Sequence, residues 1–416
     1  MSTMQEISII DKLMNSESIY RGQKMLQSQA RNNFRSEGLP KNKSHGFDYV
    51  NLKPFFINLE KDVSKEGELP ERKDNQIVII DGEYCKELSS HGFRVEKQAD
   101  CRLFEAYINK VGHEILAKSK NSLVSLNFSN DSDGIFVRIE KGFKSDTPIK
   151  IYNIVTKSGL KNLTNRIYFH CGAQSKLNLQ LIHQSASDEL VHNLVTHIQV
   201  EKEADIDITE LTSDQFVGFH QLYVDVREKG NFKHKQVNFS PLLFRSDVSC
   251  YLREENSSVN LYGLNILQNS AQSHFFALVE HLAENTTSYQ QVKNLCFDNS
   301  RTSFEGKIYV DPIAQQTKAY QLNQNLILSD KSANFSKPNL QILADDVKAS
   351  HGSTFAKINE DELFYLQSRG IGKDYAKAML VKSFVVEFLD QINDQALLEE
   401  LEEIIKHILE SKLCSI

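Results

Sequence analysis

Apolar and polar positions alternate along the middle of the chain. Runs such as GIFVRIEKG (134–142), PIKIYNIV (148–155), RIYFHCG (166–172), KLNLQLIH (176–183), ADIDITEL (204–211), LYVDVREKG (222–230), FKHKQVNF (232–239), SSVNLYGLNIL (257–267) and KIYV (307–310) repeat the pattern. A period of two marks strands buried on one face. Asn, Gly, Ser and Asp separate the runs. No helix-length periodic segment comes between them, which argues against a doubly wound α/β fold. Many short strands fit a sandwich, a barrel or a β-solenoid. Two features favour the solenoid: short turns at fairly regular spacing, and only 18 Gly and 7 Pro, fewer than the primed turns of a hairpin-rich barrel demand. No strict repeat motif is visible. A solenoid has open ends whose backbone groups must be capped or used for pairing.

Helical spacing flanks this region on both sides. Within 5–36, Ile7, Ile9, Ile10, Leu13 and Met14 form one stripe, and Ser18 can cap a second helix carrying Tyr20, Met25, Leu26, Ala30 and Phe34. Gly38-Leu39-Pro40 ends it. Residues 41–75 read as polar loop, 77–80 (IVII) as a short strand, and 99–118 as helix through Leu103, Phe104, Tyr107, Ile108, Val111 and Ile115. At the other end, Asn359 followed by Glu362 is a capping-box start and Gly370 a stop, enclosing Leu363, Phe364 and Leu366. Two further stripes follow: Ala376, Met379, Leu380, Phe384, Val385, Phe388, Leu389 and Ile392, then Leu397, Leu398, Leu401, Ile404, Ile405, Ile408 and Leu409. A helical hairpin this apolar packs on the β body or receives a partner, and packing is the favoured reading. The organisation expected is a helical and irregular unit over 1–122, a β core over 123–357 and a helical unit over 358–416.

Composition narrows the classes. The chain has 416 residues, 40% hydrophobic and 25% charged, as a globular protein does. A net charge of −7 argues against a nucleic-acid surface, which needs a concentrated basic face. The start has neither the basic nor the apolar segment of a secretory signal, and no apolar run approaches a membrane helix. The expectation is a cytoplasmic protein with no membrane segment. The six cysteines (Cys85, Cys101, Cys171, Cys250, Cys296 and Cys414) form no CxxC and no zinc spacing with histidine, so they read as reduced, mostly buried thiols.

No P-loop, dinucleotide fingerprint, GxSxG or HExxH is present. The segment ADDVKASHGS (344–353) reads as a strand with Asp345, Val347, Ala349 and His351 on one face and Asp346, Lys348 and Ser350 on the other. His351 is there either a metal or cluster ligand at an exposed strand end or a histidine hydrogen-bonded near the turn at Gly352. Spacing alone favours the second, because no cysteine stands at i±2. Glu280-His281 reads as a solvated strand edge. His192 and His197 fall on opposite faces of a regular strand, so a metal shared between them is not expected. LSDKS (328–332) reads as a solenoid corner, and Lys337-Pro338 as the entry to the next strand.

The segment KAYQLNQNLILSDKSANFSKPNLQILADDVKASHGSTFAKINEDELFYLQSRGI (318–371) resembles the signature region of the SufB/SufD family of iron–sulfur cluster assembly proteins. Further similarity lies in 278–310, 123–142 and 38–52. Within the family the chain resembles the SufD branch: it carries SHG (350–352) where SufB has a Glu-His-Glu type sequence. Two departures stand out. The position two before His351, often Cys in the family, is Ala349, and an N-terminal E-x-W-x-Y pattern is here His45, Phe47 and Tyr49 in a chain with no Trp.

The resemblance implies a right-handed parallel β-helix flanked by helical domains, and a non-enzymatic subunit working with SufB and two copies of the ABC-type ATPase SufC. It implies pairing with SufB through the β-helix and SufC docking on the C-terminal helices around Met379, Leu380 and Phe384; whether the chain alone forms a homodimer stays open. His351 matches the histidine at the SufB–SufD junction where a nascent iron–sulfur cluster forms, as an iron ligand completed by SufB. No cofactor is expected to be held tightly by this chain alone, and flavin binding by the complex stays open. Two rival readings remain. In one the chain only holds SufB and SufC in register. In the other, a β-helix polysaccharide lyase or hydrolase uses Asp345, Asp346 and Lys348; the missing export signal and the absence of Trp for sugar stacking weigh against it.

Overall fold

The computed structural model describes residues 9–413 apart from 12, 15–22, 42–45, 60, 62, 98–101, 131–133, 146, 159–163 and 213–215. The expectations for Ile7, Ser18, Tyr20, His45, Cys101 and Cys414, and for the side chains of Leu103 and Phe104, lie outside the described residues.

Alternating runs become strands that go by turns to two sheets. One sheet has nine strands, from Arg94–Lys97 at one edge to Ala333–Ile342 at the other; the second has ten, from Glu83–Tyr84 to Val347–Ala356. Each strand pairs in parallel with the strand two before it and two after it, so the chain winds a β-solenoid of about 7 turns. Among the described residues, antiparallel strand pairs occur at the starting edges (Ile79 with Tyr84, Arg94 with Arg138) and in a separate ribbon of Val63–Ser64 with Lys157–Ser158. Val191 lies beside Val217 and Val217 beside Leu243, a turn of 26 residues; Arg301 lies beside Ala333, a turn of 32. This drift hides the repeat from a search for a strict motif.

Inward-facing residues fill the space between the sheets: Ile151, Leu181, Ile208, Phe232 and Leu261 from one, Ile198, Val224, Val248, Phe275 and Phe304 from the other. The corners explain the scarcity of glycine. Gln174, Glu203, Lys229, Asn256, Asn285 and Gln316 stack one above another with φ of +61, +58, +55, +59, +56 and +57°. Each donates its N–H to a carbonyl of the following turn, among them Gln174 to Lys202 at 2.9 Å and Lys229 to Glu255 at 3.0 Å. The interturn hydrogen bond offsets the left-handed penalty of about 1–2 kcal/mol.

Helices α1 (Lys24–Glu37), α2 (Lys53–Leu59), α3 (Arg102–Lys118) and α4 (Ser122–Ser129) precede the solenoid strands or interrupt them. Helix α1 ends at Gly38, whose φ of +70° favours glycine. These helices cover the outer face of the nine-stranded sheet, with Leu26, Ile108, Val111, Ile115 and Phe128 packed on Tyr168, Val195, Tyr223 and Tyr251. Helix α2 falls in a stretch read as loop, and α4 in one read as strands. All eight residues of α4 are buried, so it carries no polar stripe from which helical period can be read. Pro338, expected at a strand start, lies six residues into Ala333–Ile342; an edge strand tolerates the missing N–H.

The C-terminal helices follow the sequence closely: α5 (Glu360–Ser368), α6 (Lys373–Leu389) and α7 (Gln395–Leu413). Asn359 caps α5, its side chain accepting from the N–H of Asp361 at 2.9 Å and of Glu362 at 3.4 Å, and Gly370 has φ of +85°. Val381, Val385, Phe388, Leu401, Ile405 and Ile408 pack on Val237, Leu264, Ile266, Leu295 and Leu326 of the ten-stranded sheet. Lysines fasten the contact. Lys235 Nζ is 2.6 Å from Asp207 Oδ1 and donates to the Gln391 carbonyl at 3.2 Å. Lys293 Nζ is 2.5 Å from Glu387 Oε2, donates to the Phe384 carbonyl at 3.0 Å and lies over the Phe384 ring. Lys412 Nζ reaches Asp298 at 2.6 Å. Among the described residues no helix is long and apolar enough to cross a membrane.

Candidate functional site

The last turn of the solenoid consists of Ala333–Ile342 and Val347–Ala356, and each strand pairs on one side only. Their outward edges carry backbone donors and acceptors with no strand beside them, a template for another chain. Most side chains of Val347–Ala356 are exposed because no further turn covers them. Asp345 and Asp346 fall in the corner before the strand, not in it, and the Asp346 N–H donates to Gln315 Oε1 at 2.9 Å.

His351 shares its register with Gln321, an inward-facing residue of the previous turn. Ala349, two before it, packs toward Ile308, Val310 and Ala319. His351 therefore stands on the lumen side of the terminal strand, yet it is exposed and has neither a hydrogen bond nor an ion pair among the described residues. A turn-bonded role at Gly352 has no hydrogen bond to support it.

Below this end the lumen carries a polar lane along one side. Asn238 donates to Asn265 at 2.8 Å, Asn265 to Asn294 at 2.7 Å and Asn294 to Asn325 at 2.8 Å, one asparagine per turn in register. Asn325 then donates to the Thr354 carbonyl of the terminal strand at 3.0 Å. Asn265, Asn294 and Asn325 each both donate and accept, so the ladder satisfies buried groups that apolar neighbours would leave orphaned.

Deeper along the lane, Glu210 gathers three histidines. Its Oε1 accepts from His183 Nε2 at 2.8 Å and His220 Nδ1 at 2.7 Å, and its Oε2 from His234 Nε2 at 2.8 Å. Burial pushes the Glu210 carboxyl up, but His220 and the three hydrogen bonds outweigh it and hold the carboxyl well below its ordinary range. Burial pulls His220 down against the pull of Glu210, and pulls His192 far down, with His183 adding to it. Sequence reading missed this cluster. Its histidines lie 10 to 27 residues from Glu210 and meet it only through the register. A signal does exist: His183 follows inward Leu177, Leu179 and Leu181, Glu210 follows inward Ile206 and Ile208, and His220 precedes inward Leu222, Val224 and Val226.

Other singled-out residues fall into place. His281 is fully buried, its ring between Thr286 Oγ1 and Ser288 Oγ, both at 2.8 Å, so the expected solvated edge is corrected: the strand's parity turns the ring inward. Burial lowers its pKa from 6.5 to about 3. His192 faces the lumen, while His197 faces outward to Tyr107 and Asp225 at 2.9 Å each. Asp225 is pushed up by burial but pulled down to about 2 by His197 and Arg253. Cys171, Cys250 and Cys296 are buried, and burial pushes their thiols up, Cys296 to about 12, so none is poised as a nucleophile.

On the C-terminal helices Met379 is 41% and Tyr375 65% exposed, and they line a groove of about 400 Å³ with Ala378, Ile405 and Leu409 between α6 and α7. Leu380 is half-buried; Phe384 packs toward the solenoid beneath Lys293.

Residues 153–384, more than half of the chain, match the family model described as "SUF system FeS cluster assembly, SufBD core domain". An iron–sulfur cluster assembly SufBD family protein of Synechocystis is 32% identical over 203 residues, 48% of this chain and 45% of that protein. The iron–sulfur cluster assembly protein SufD of Escherichia coli is 31% identical over 159 residues, 38% of each chain. A SufBD family protein of Staphylococcus saprophyticus is 21% identical over 365 residues, 83% of this chain and 77% of the relative. The first two matches span less than half the length of those relatives.

Proposed function

The chain belongs to the SufBD family of iron–sulfur cluster assembly proteins, and from that footing we propose that it is a non-catalytic, SufD-like scaffold subunit. Its terminal turn pairs with the matching turn of a SufB-type partner. Its C-terminal helices receive a SufC-type ATPase. The observation that carries this reading is the open turn 333–356: two strands unpaired on their outer sides, with His351 exposed and unpartnered on the lumen side. Strand addition there completes two sheets at once and supplies main-chain hydrogen bonds across the junction.

In this reading His351 is one half of a site. A neutral imidazole offers one nitrogen to iron, and the partner's junction residues supply the rest. Ala349 offers no thiolate, so on this face of the terminal strand the chain brings His351 and the partner completes the site. ATP-dependent movement of two SufC-type subunits, transmitted through α6 and α7, opens and closes the junction. The exposed Tyr375 and Met379 are the natural docking contacts; Phe384, occupied by the solenoid, sets the helix angle. The complex works in the cytoplasm, where the thiols stay reduced.

Co-expression with SufB- and SufC-type partners and anaerobic purification test the proposal. A ternary complex carrying iron and sulfide is expected. His351→Ala should keep the complex but lower its iron and sulfide, and Met379→Glu should release the ATPase while leaving the helical circular dichroism intact. If His351→Ala leaves iron and sulfide unchanged, the chain is an organiser only. If no complex forms, the assembly role itself fails.

A further inference from the structure

The Glu210 cluster has a composition that hydrogen bonding alone does not explain. His183 stands on Lys176–Ser185, Glu210 on Asp205–Thr212 and His234 on Asn231–Phe239, all in the ten-stranded sheet; His220 crosses from Val217–Val226 in the other. All four are buried, and His183 Nε2, Glu210 Oε1 and His220 Nδ1 lie within 4.8 Å of one another. The ion partners of Glu210 among the described residues are these histidines and no lysine or arginine. With neutral imidazoles the carboxylate is a buried charge without a counter-charge, an arrangement that costs several kcal/mol.

A second observation points the same way. His192 is buried beside His183, their ring centroids 6.3 Å apart, and among the described residues neither of its ring nitrogens has a partner, nor does Nδ1 of His234. Buried polar atoms are nearly always satisfied, so a fully orphaned imidazole beside a histidine–carboxylate hub marks room for a group that can be bound.

We propose that His183, Glu210 and His220 hold a divalent first-row transition-metal cation, zinc or ferrous iron, inside the solenoid, with His234 steadying the other carboxylate oxygen of Glu210 and His192 as a reserve donor. Imidazole nitrogen and carboxylate oxygen are the ligands such cations take, and no sulfur joins the cluster to favour softer ions. Bonds of about 2.0–2.1 Å place tetrahedral ligand atoms about 3.3 Å apart, so contacts now at 2.7–2.8 Å open by about half an ångström. Binding conserves protons: each neutral imidazole moves its N–H from the nitrogen facing the cation to the outer one. For His220 that outer nitrogen already has a partner, Thr196 Oγ1 at 2.9 Å, which can accept. Three donors from two sheets make the cation a cross-brace between them. The enclosed position means that it is loaded as the chain folds. The site is independent of the terminal turn and of any partner.

Metal analysis of the intact chain tests this. Zinc and iron are measured on anaerobically purified protein, then the chain is unfolded with chelator and refolded with zinc, ferrous iron or cobalt(II). About one ion per folded chain is expected, with X-ray absorption showing imidazole scattering and no sulfur shell, and with the thermal midpoint raised over metal-free refolding. Which element co-purifies distinguishes zinc from iron. Glu210→Gln and His183→Gln should each lower uptake at least tenfold, and His407→Gln, an exposed histidine on α7, should not. The unmodified chain decides if a variant fails to fold: a folded chain that takes up none of the three ions, or one whose ion has sulfur ligands, overturns the proposal.

Discussion

Acid should destabilise this fold through His281, beginning well above the range where carboxylates titrate. The imidazole is fully buried at the end of Gln272–His281, with both nitrogens engaged by hydroxyls, and its folded pKa is about 3. In the unfolded chain it titrates near 6.5. Between those values the unfolded state binds a proton that the folded state refuses, so stability falls as pH falls; above about 6.5 neither state binds it and nothing is lost. At pH 5 the loss from this one group is about 2 kcal/mol, and the slope near pH 5.5 is about 1.2 kcal/mol per pH unit. His192, His220 and His274 are lowered too and act in the same direction, so the total slope is steeper and the wild type alone is not diagnostic. His281→Gln is. The variant keeps an amide for the hydroxyls and loses the titrating group. Urea unfolding of both proteins at pH 7.5, 6 and 5 should show the wild type's advantage shrinking by about 2 kcal/mol across the series. An advantage constant to within about 0.5 kcal/mol would mean that His281 is protonated in the folded state or remains protected on unfolding, and would refute the reasoning.

Other substitutions probe separate elements. Lys235→Met leaves Asp207 without its cation and should cost about 3 kcal/mol, with faster hydrogen exchange in α6 and α7 before the solenoid core. Asn294→Ala interrupts the asparagine ladder between Asn265 and Asn325 and should cost about 2 kcal/mol, seen as a lower urea midpoint at unchanged slope. At the left-handed corner Asn256→Gly should be neutral within about 0.5 kcal/mol, whereas Asn256→Val should cost at least about 1 kcal/mol; equal effects would show that the corner relaxes. His351→Ala should leave the melting temperature of the isolated chain unchanged, because the exposed ring makes no hydrogen bond or ion pair among the described residues.

The alternation in KLNLQLIH and ADIDITEL carried the strands, because inward and outward environments differ at every second residue. Asn359, Gly370 and the stripes through Val385 and Ile405 carried α5 to α7 for the corresponding reason at helical period. Helix α4 stayed hidden because burial on all sides erases the contrast that periodicity needs. The corners at Glu203 and Lys229 were hidden too, since their left-handed backbone is held by interturn hydrogen bonds and not by residue type. For His351 the segment gave the strand and its face, while spacing alone favoured a turn-bonded histidine and only the family resemblance pointed to a ligand. Glu210 was not legible: its meaning depends on which residues the next turn sets beside it, and a turn that varies from 26 to 32 residues cannot be registered from one sequence.

The way the C-terminal helices grip the solenoid changes how it should come apart. A stack whose turns touch only their neighbours can fray from an uncovered end, one layer at a time. Here α6, α7 and their connection reach Gln180, Asp207, Lys235, Lys293 and Asp298, which belong to four strands of the ten-stranded sheet and a corner beyond them. The layers between are thereby bound into one unit of unfolding, while the last turn, outside the grip, remains a separate and weaker unit. The molecule thus combines a core that yields all at once with a rim that can open alone, so a partner can remodel the rim without endangering the rest.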